Sequence, residues 1–181
     1  MTKNHESLQG TQVYLRHPLE SDFAELAELY AGSREHLRGL AATEFREAEF
    51  ERLLATAAQD TNEYFLICTH ERDRIAGTIN LSQIFRKAFQ NAYLGYMLGA
   101  GFTGHGYMTE SVSLVLRFAF EKLKLHRVEA NVQPSNLPSI RVLQRNGFSK
   151  EGFSRRYIKI GGRWRDHERW AIIVEDWKRR K

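Results

Sequence analysis

The sequence has little cysteine and proline, and it has no long apolar run. Its 181 residues include one cysteine and three prolines. A single cysteine excludes an intrachain disulfide framework and a cysteine-rich metal site. No stretch approaches the ~18 uninterrupted apolar residues of a membrane-spanning helix, and residues 1–6 are polar, without an apolar signal region. We therefore expect a cytoplasmic protein, with Cys68 in the core of a strand.

The rest of the composition is that of an ordinary globular domain. Hydrophobic residues make up 42% of the chain and charged residues 27%, which suits one hydrophobic core. We predict a single domain over residues 1–181, with flexible ends at about 1–10 and 178–181.

Positive charge is concentrated late in the chain. The formal net charge is +5, and a balance of this sign allows anionic partners such as nucleic acid. A terminal cluster of Lys and Arg also keeps a frayed end in solution. We prefer the second interpretation and keep nucleic-acid binding as a secondary hypothesis. The basic residues are Arg155, Arg156, Lys159, Arg163, Arg165 and 178–181.

Periodicity predicts a mixed α/β order. Alternating or continuous apolar runs indicate strands, at 13–17, 64–70, 75–81, 92–98, 128–132, 153–160 and 168–174. Helical spacing indicates helices, after Ser21 or Asp22, over 33–58 with a break near 39–43, from 107 to 123, and from Asn136 to Gly147. The runs 64–98 form an antiparallel meander, and the order strand, loop, helix, strand over 92–132 predicts a parallel pair.

The segment between the strand 92–98 and the following helix carries the clearest chemistry. It reads Gly104-His105-Gly106-Tyr107-Met108-Thr109-Glu110. The first turn of a helix has unpaired N–H groups and a positive dipole end, and glycines let a phosphate approach the backbone. The segment lacks the Gly-Lys-Ser/Thr of a Walker loop and the third glycine of a dinucleotide loop. It therefore implies a different phosphorylated ligand.

An ordered set of motifs resembles the GNAT superfamily of acetyl-CoA-dependent N-acetyltransferases. A strand, Gly-x-Gly and a helix precede a strand, Asn-x-x-Ser and a second helix, and the segments 146–148 and 151–153 follow. One Gly-x-Gly is weak evidence, whereas the ordered set is strong. The RimJ/RimL-type ribosomal-protein-alanine N-acetyltransferases are similar in four further segments, at 94–96, 104–106, 125–127 and 162–167.

This resemblance implies a fold and a cofactor site. The expected fold is the α/β GNAT fold, a mixed and mostly antiparallel sheet flanked by helices and splayed between its fourth and fifth strands, here 92–98 and 128–132. The gap would hold the pantetheine arm of acetyl-CoA against the backbone of Met97, Leu98 and Gly99. The pyrophosphate would lie on backbone amides of the loop, namely Gly104, His105, Gly106, Tyr107, Met108 and Thr109.

The glycine loop departs from the family pattern at both ends. That pattern is Gln/Arg-x-x-Gly-x-Gly/Ala, and this chain has Thr103 first and Met108 last. Amide donors do not depend on a side chain. We therefore expect Met108 to weaken CoA binding without abolishing it. The cosubstrate implied is acetyl-CoA, and no metal is expected.

The resemblance also assigns the leaving-group chemistry. An amine attacks the thioester, so the site needs a donor to the oxyanion and an acid for the thiolate. The donor would be a backbone N–H near Met97 or Leu98. Many GNAT enzymes use a tyrosine as the acid, but that position is Leu143 here, and Ser139 matches the serine of RimL-type enzymes. Asn136 would hold pantetheine and cap the helix.

The general base is less clearly indicated. The strand glutamate of RimL-type enzymes corresponds by spacing to Ile158. Glu129 is our leading candidate, with Glu110 and Asp166 behind it, each acting through water. An acid at a helix N-terminus or beside arginines also has a structural explanation.

Three aromatic side chains have a structural explanation as well. Tyr96, Tyr107 and Trp164 are predicted to be walls of the clefts, or core, rather than acids.

The function implied is transfer of an acetyl group to a primary amine. The favoured acceptor is the N-terminal α-amino group of a protein, such as a ribosomal protein. Alternatives are a small amine (aminoglycoside, polyamine or amino-acid derivative), or a weakly catalytic CoA-binding protein that contacts the ribosome or RNA through its basic C-terminal region. No membrane partner is expected, and both a monomer and a homodimer remain open.

Overall fold

The computed structural model describes residues 7–40 and 44–180. Eight strands form one sheet within this part of the chain. They are β1 Leu8–Gln9, β2 Val13–Arg16, β3 Glu63–Thr69, β4 Ile75–Phe85, β5 Asn91–Leu98, β6 Arg127–Val132, β7 Ser149–Ile160 and β8 Arg163–Ile173.

Helices flank this sheet. They are α1 Phe23–Gly32, α2 Arg34–Leu37, α3 Glu47–Ala57, α4 Tyr107–Arg117, α5 Leu137–Arg145 and α6 Val174–Lys178. A π-helical turn, Phe118–Lys122, continues α4, and 3₁₀ turns lie at Glu20–Asp22 and Ala100–Phe102. The predicted break in the second helical region is confirmed between α2 and α3, while residues 41–43 lie outside the described part. No helix of the described ranges is long and apolar enough to cross a bilayer.

The strand order is β1-β2-β3-β4-β5-β6-β8-β7. Every neighbouring pair is antiparallel except β5 and β6. The connection from β5 to β6 passes through α4, because a parallel partner has to be reached by a crossover. The predicted meander and the predicted parallel pair are both confirmed.

The two faces of the sheet are covered differently. The main core lies on the face of α4 and α5, where Val112, Val115 and Leu143 are fully buried against the strands. A smaller cluster lies on the other face and includes Leu26 and Phe50, from α1 and α3. Cys68 belongs to that cluster, and burial raises the pKa of its thiol. This confirms that Cys68 is a core residue.

The sheet opens between β5 and β6, as the family resemblance implied. The two strands pair only at Asn91 with Arg127, Ala92 with Val128, and Tyr93 with Glu129. Beyond Tyr93 the edge of β5 has no strand partner in the described structure. Because β1 precedes the predicted strands, the splay lies between the fifth and sixth strands rather than the fourth and fifth.

Both chain ends contain structure where we expected flexibility. Leu8 and Gln9 pair with Leu15 and Tyr14 of β2, because the turn at 10–12 is anchored to α4. At the other end, Arg180 donates from Nη2 to the carbonyl oxygen of Arg145 at 3.0 Å. These residues therefore have defined contacts, the flexibility of the ends stays a prediction, and residues 1–6 and 181 lie outside the described part.

Three strands are longer than the sequence pattern predicts. β4 continues to Phe85 through a register shift at which Gln83 has a φ of 50°. β7 begins at Ser149 and β8 begins at Arg163. Charged residues on an outer hairpin do not alternate with apolar ones, so the period-2 signal that marks a half-buried strand is lost there.

The two ends of α5 follow its sequence closely. The Asn136 side chain caps the helix by accepting the Ser139 N–H at 3.3 Å. Gly147 follows the helix with a φ of 85°, in the left-handed region that favours glycine. By contrast, Asp22 makes no cap bond to α1; its carboxylate accepts from Arg16 and from the Leu19 N–H.

Candidate active site

A cleft of about 510 Å³ lies at the splay. It brings together most of the residues predicted to bind the cofactor, and Ser139. Gly99, His105 and Glu129 are not among its lining residues. The predicted residues that line it are Met97, Leu98, Gly104, Gly106, Tyr107, Met108, Thr109, Asn136 and Ser139.

The backbone of β5 presents one open edge to this cleft. The Gly99 N–H donates to the Ala76 carbonyl at 2.8 Å, and the Gly99 carbonyl accepts from the Phe102 N–H at 3.0 Å. Both backbone groups of Gly99 therefore have partners within the protein, and its pairing with pantetheine stays a prediction. Since backbone direction alternates along a strand in an antiparallel ladder, Met97 also faces β4, and Leu98 faces the open edge.

The glycine loop has the geometry of an anion site. Gly104 and Gly106 have φ values of 84° and 86°, which glycine adopts without strain. Helix α4 begins at the next residue, Tyr107, so the N–H groups of its first turn face the cleft without helical partners. Met108 is 7% exposed and packs in the main core. Its bulk therefore lies in the core and does not fill the loop.

His105 lies at the outer side of the same loop. Its ring stacks on Tyr107, with centroids 5.3 Å apart and an interplanar angle of 17°. It is exposed and does not line the cleft. The described contacts thus give the His105 ring an aromatic partner, and binding of the cofactor by the His105 backbone stays a prediction.

Two hydroxyl groups meet inside the cleft. Tyr96 Oη lies 2.7 Å from Ser139 Oγ, and 3.4 Å from the Ser139 carbonyl oxygen. Burial raises the pKa of Tyr96 to about 12, and the hydrogen bond with Ser139 opposes part of this increase. The sequence reasoning placed Tyr96 in a wall and did not pair it with Ser139. The two residues are 43 positions apart, and no periodicity links them.

Two arginines of α5 also line the cleft, and the sequence reasoning missed both. Arg141 and Arg145 are lining residues together with the start of α4. Their spacing of four residues places them on one helix face, and that spacing is the signal from which they were predictable. Guanidinium groups bind phosphate well, so this end of the cleft suits a polyphosphate.

The structure separates the three candidate bases from the cleft lining. Glu129 Oε1 accepts from Arg127 Nε at 2.8 Å and from Asn91 Nδ2 at 3.1 Å. It lies on the last paired rung of β5 and β6, opposite Tyr93. Glu129 is thus at the base of the splay with an ion-pair partner, and its role as a base stays a prediction.

The other two candidates have structural partners. The Glu110 carboxylate accepts from the backbone N–H groups of Thr11 and Gln12, which holds the β1–β2 turn against α4. Asp166 accepts from the Arg156 N–H at 2.7 Å, inside the hairpin. Neither side chain lines the cleft.

Two positions at which the family resemblance implied a catalytic tyrosine or glutamate are apolar here. Leu143 is fully buried in the main core. Ile158 is half-buried and pairs with Arg165 across the β7–β8 hairpin. An acid or base therefore has to come from other elements.

The outer part of the β7–β8 hairpin is strongly basic. The last rung between β6 and β8 joins Val132 to Glu168, so residues 154–167 extend beyond β6 as a two-stranded ribbon. We call them the basic ribbon. It carries five cations, and none of them forms an ion pair with an acidic side chain of the described ranges. These cations are Arg155, Arg156, Lys159, Arg163 and Arg165.

The basic ribbon reaches the mouth of the cleft. A Cβ built on Gly39 would lie 3.9 Å from Arg165 Nη2, and the next residue, Leu40, lines the cleft. Gln133 Nε2 donates to the Gly39 carbonyl at 2.7 Å. Arg165 Nε is buried and makes no hydrogen bond in the described structure. Arg165 therefore lies beside the segment 39–40 that borders the cleft, although it is not itself a lining residue.

The site combines an open strand edge, a helix N-terminus and a buried hydroxyl. This combination suits an acyltransferase that holds a phosphorylated thioester in an extended form. Comparison with known proteins agrees. Residues 12–149 match the acetyltransferase (GNAT) domain family, and the chain belongs to that family. It is an acetyl-CoA-dependent N-acetyltransferase.

Individual relatives point the same way. The chain is 42% identical over 178 residues to the probable N-acetyltransferase YjcK of Bacillus subtilis (strain 168), which covers 93% of this chain and 98% of the relative. It is 37% identical over 114 residues to the ribosomal protein uS5-alanine N-acetyltransferase of Escherichia coli (strain K12). This alignment covers 63% of this chain and 59% of the relative. The solved structure of Mycobacterium smegmatis RimJ in complex with CoA-disulfide has a TM-score of 0.81 at 28% identity. The match covers 90% of this chain and 82% of the RimJ chain.

Proposed function

We propose that this enzyme acetylates the N-terminal α-amino group of a protein, with a ribosomal protein as the favoured acceptor. The single observation that carries the proposal is the cleft itself, whose described lining contains no acidic residue. The uS5-alanine relative supports the protein acceptor.

We propose the following arrangement of acetyl-CoA. Pantetheine extends along the open edge of β5 at Leu98, in the manner of an added strand. The pyrophosphate lies on the amides of residues 104–109 at the start of α4. Arg141 and Arg145 bind the remaining phosphate, because they line the cleft together with the start of α4. Asn136 fixes the start of α5.

The proposed chemistry uses one amide and one hydroxyl. The amine attacks the thioester carbonyl, and the Leu98 N–H donates to the developing oxyanion. Ser139 protonates the departing thiolate. Its hydroxyl lines the cleft, and its backbone N–H is already bound to Asn136, so the hydroxyl is the part of Ser139 available to the sulfur.

The low pKa of an α-amino group supports an N-terminal acceptor. Glu129 is the proposed base through water, yet no carboxylate of the described residues lines the cleft. At about pH 7.8, half of an N-terminal amine is neutral, against roughly one in 400 of an alkylamine whose pKa is near 10.4. A site without an adjacent base therefore favours the α-amine by roughly two orders of magnitude.

Charge at the cleft mouth separates the two candidate acceptor classes. Polyamines and aminoglycosides are polycations, and they would meet the basic ribbon, Arg141 and Arg145 without an acidic partner in the lining. Like charges at an entrance reduce both encounter and affinity. A peptide with carboxylates after its N-terminus has the complementary charge.

The experiment that tests the proposal measures release of CoA thiol from acetyl-CoA. The acceptors are peptides with Ala, Ser and Met N-termini, each with an acidic or a basic continuation, together with spermidine and an aminoglycoside. We expect turnover of Ala- or Ser-started peptides, with the acidic continuation preferred. Selective turnover of a polyamine would overturn the assignment. CoA binding without turnover of any acceptor would instead favour the weakly catalytic alternative.

The basic ribbon also bears on the ribosome hypothesis. RNA contact through it requires binding that weakens steeply with added salt, because each neutralised phosphate releases counterions. The experiment measures how tightly the protein binds ribosomes and total RNA, each at low and at high salt. Salt-insensitive binding, or none, would remove RNA as a partner.

A further inference from the structure

Tyr96 is a half-buried titratable group that the proposed chemistry does not use. Its hydroxyl lies 2.7 Å from Ser139 Oγ, within the range of a good O–H···O bond. The Ser139 carbonyl is a poorer alternative at 3.4 Å. Both side chains line the cleft. The pair therefore lies inside the reaction site.

The contact joins the two walls of the splay. Tyr96 belongs to β5, two residues before Leu98, whose backbone faces the open edge. Ser139 lies in the first turn of α5, which follows β6. The hydroxyl pair thus bridges the gap through which pantetheine passes. In the proposed arrangement of acetyl-CoA, this position lies beside the thioester rather than beside the nucleotide.

The direction of the hydrogen bond decides what Ser139 can do. A serine hydroxyl has one hydrogen and two acceptor lone pairs. If Tyr96 donates to Ser139 Oγ, the Ser139 hydrogen is available for the sulfur. A phenol is also a stronger acid than an aliphatic alcohol, so Tyr96 can replace the proton that Ser139 gives away.

We propose that Tyr96 is a positioning residue that supplies the leaving-group proton through Ser139. As the C–S bond breaks, Ser139 gives its proton to the CoA sulfur and takes the Tyr96 proton. The proton that the acceptor amine loses on forming the amide passes through water to Glu129, the proposed base, and from Glu129 through water back to Tyr96. Tyr96 thereby performs, from a strand, the part that Leu143 cannot perform from α5. The inference rests on the proposed role of Ser139.

Tyr96→Phe, Ser139→Ala and the double variant test this inference. The measurements are kcat with the best acceptor of the panel, and the dissociation constant of CoA. We expect Tyr96→Phe to lower kcat by about tenfold to a hundredfold and to leave CoA affinity within about twofold. The double variant should be no slower than the slower single variant, because the two residues act as one unit.

A second donor distinguishes proton supply from packing. An acetyl thioester of an aromatic thiol releases a thiolate that needs no proton. The loss caused by Tyr96→Phe should largely disappear with this donor. Tyr64→Phe, which removes another phenol from outside the cleft, is the matched control and should retain wild-type kcat.

Each outcome has a distinct meaning. An equal loss with both donors, or two losses that multiply, would overturn the relay and leave Tyr96 a packing residue. An unchanged kcat in Tyr96→Phe would overturn it as well, while the proposed function stands. No turnover by the wild-type enzyme with any acceptor would overturn the proposed function and the relay together.

Discussion

The cleft has two walls that differ in how they recognise a ligand. What we propose as the cofactor wall consists of the β5 edge, the loop 104–109 and α5; the strand and the loop present backbone groups, and α5 adds side chains. What we propose as the acceptor wall consists of α2 and Leu40, with the basic ribbon beyond Gly39, and it presents side chains. Backbone recognition depends on conformation, whereas side-chain recognition depends on which residues are brought together.

The departures from the family pattern leave the backbone geometry of the glycine loop in place. Thr103 and Met108 alter side chains at the ends of the glycine loop, yet Gly104 and Gly106 keep positive φ values and α4 begins at Tyr107. Met108 is buried in the main core. An amide donor is unaffected by its own side chain as long as the backbone holds its shape.

The largest expected effect comes from placing charge in the cofactor wall. Gly106→Glu should weaken CoA binding by about 100-fold or more, ~3 kcal/mol, because a carboxylate repels phosphate and a side chain strains this φ of 86°. Calorimetric titration of a folded variant measures this loss. Gly101→Glu is the control, since a Cβ there meets nothing within 4 Å. A normal CoA affinity in Gly106→Glu would contradict the assigned site.

The two arginines of α5 are expected to have an intermediate effect. Arg141→Ala with Arg145→Ala should weaken CoA binding by about tenfold, ~1.4 kcal/mol, with smaller losses as salt rises. The effect should be larger for CoA than for dephospho-CoA if they face the 3′-phosphate. Arg117→Ala, which removes an exposed arginine of α4, is the comparison. Equal effects on both ligands would instead place the arginines beside the pyrophosphate.

The smallest expected effect concerns the acceptor wall. Arg165→Ala should raise KM for the acidic peptide by about threefold to tenfold, because it removes one partly shielded charge at the entrance. CoA affinity should stay unchanged, since Arg165 belongs to the other wall. Arg72→Ala, on an exposed turn, controls for the lost charge. Steady-state kinetics at two salt concentrations measure KM for each peptide. A KM that rises equally for a neutral peptide would argue against charge recognition.

The predictions from sequence are closest to the structure where local rules act. Asn136 caps α5 and Gly147 ends it, because both effects depend only on neighbouring residues. The meander, the crossover and the glycine loop follow from periodicity and from turn chemistry in the same way. The outer half of β8 is missed, since Arg163 to His167 have no apolar alternation.

The predictions of catalytic residues are less complete, because such residues come together through contacts between distant segments. Glu129 is a candidate by residue type, and the structure gives it Arg127 and Asn91 as partners. Tyr96 looks like a wall residue in the sequence, and only the fold brings its hydroxyl to Ser139. Contacts between distant segments leave no periodic signal, so they emerge only when helices and strands pack.

Local sequence patterns were enough to predict most helices and strands, the family, and a backbone site for a phosphorylated cosubstrate, because these rest on short-range geometry. Tertiary packing was needed to show that Leu98 rather than Met97 faces the open edge, that Arg141 and Arg145 line the cleft, and that Arg165 lies near Gly39 beside the cleft. Register and packing fix these features, since one step along a strand reverses the direction of every backbone group.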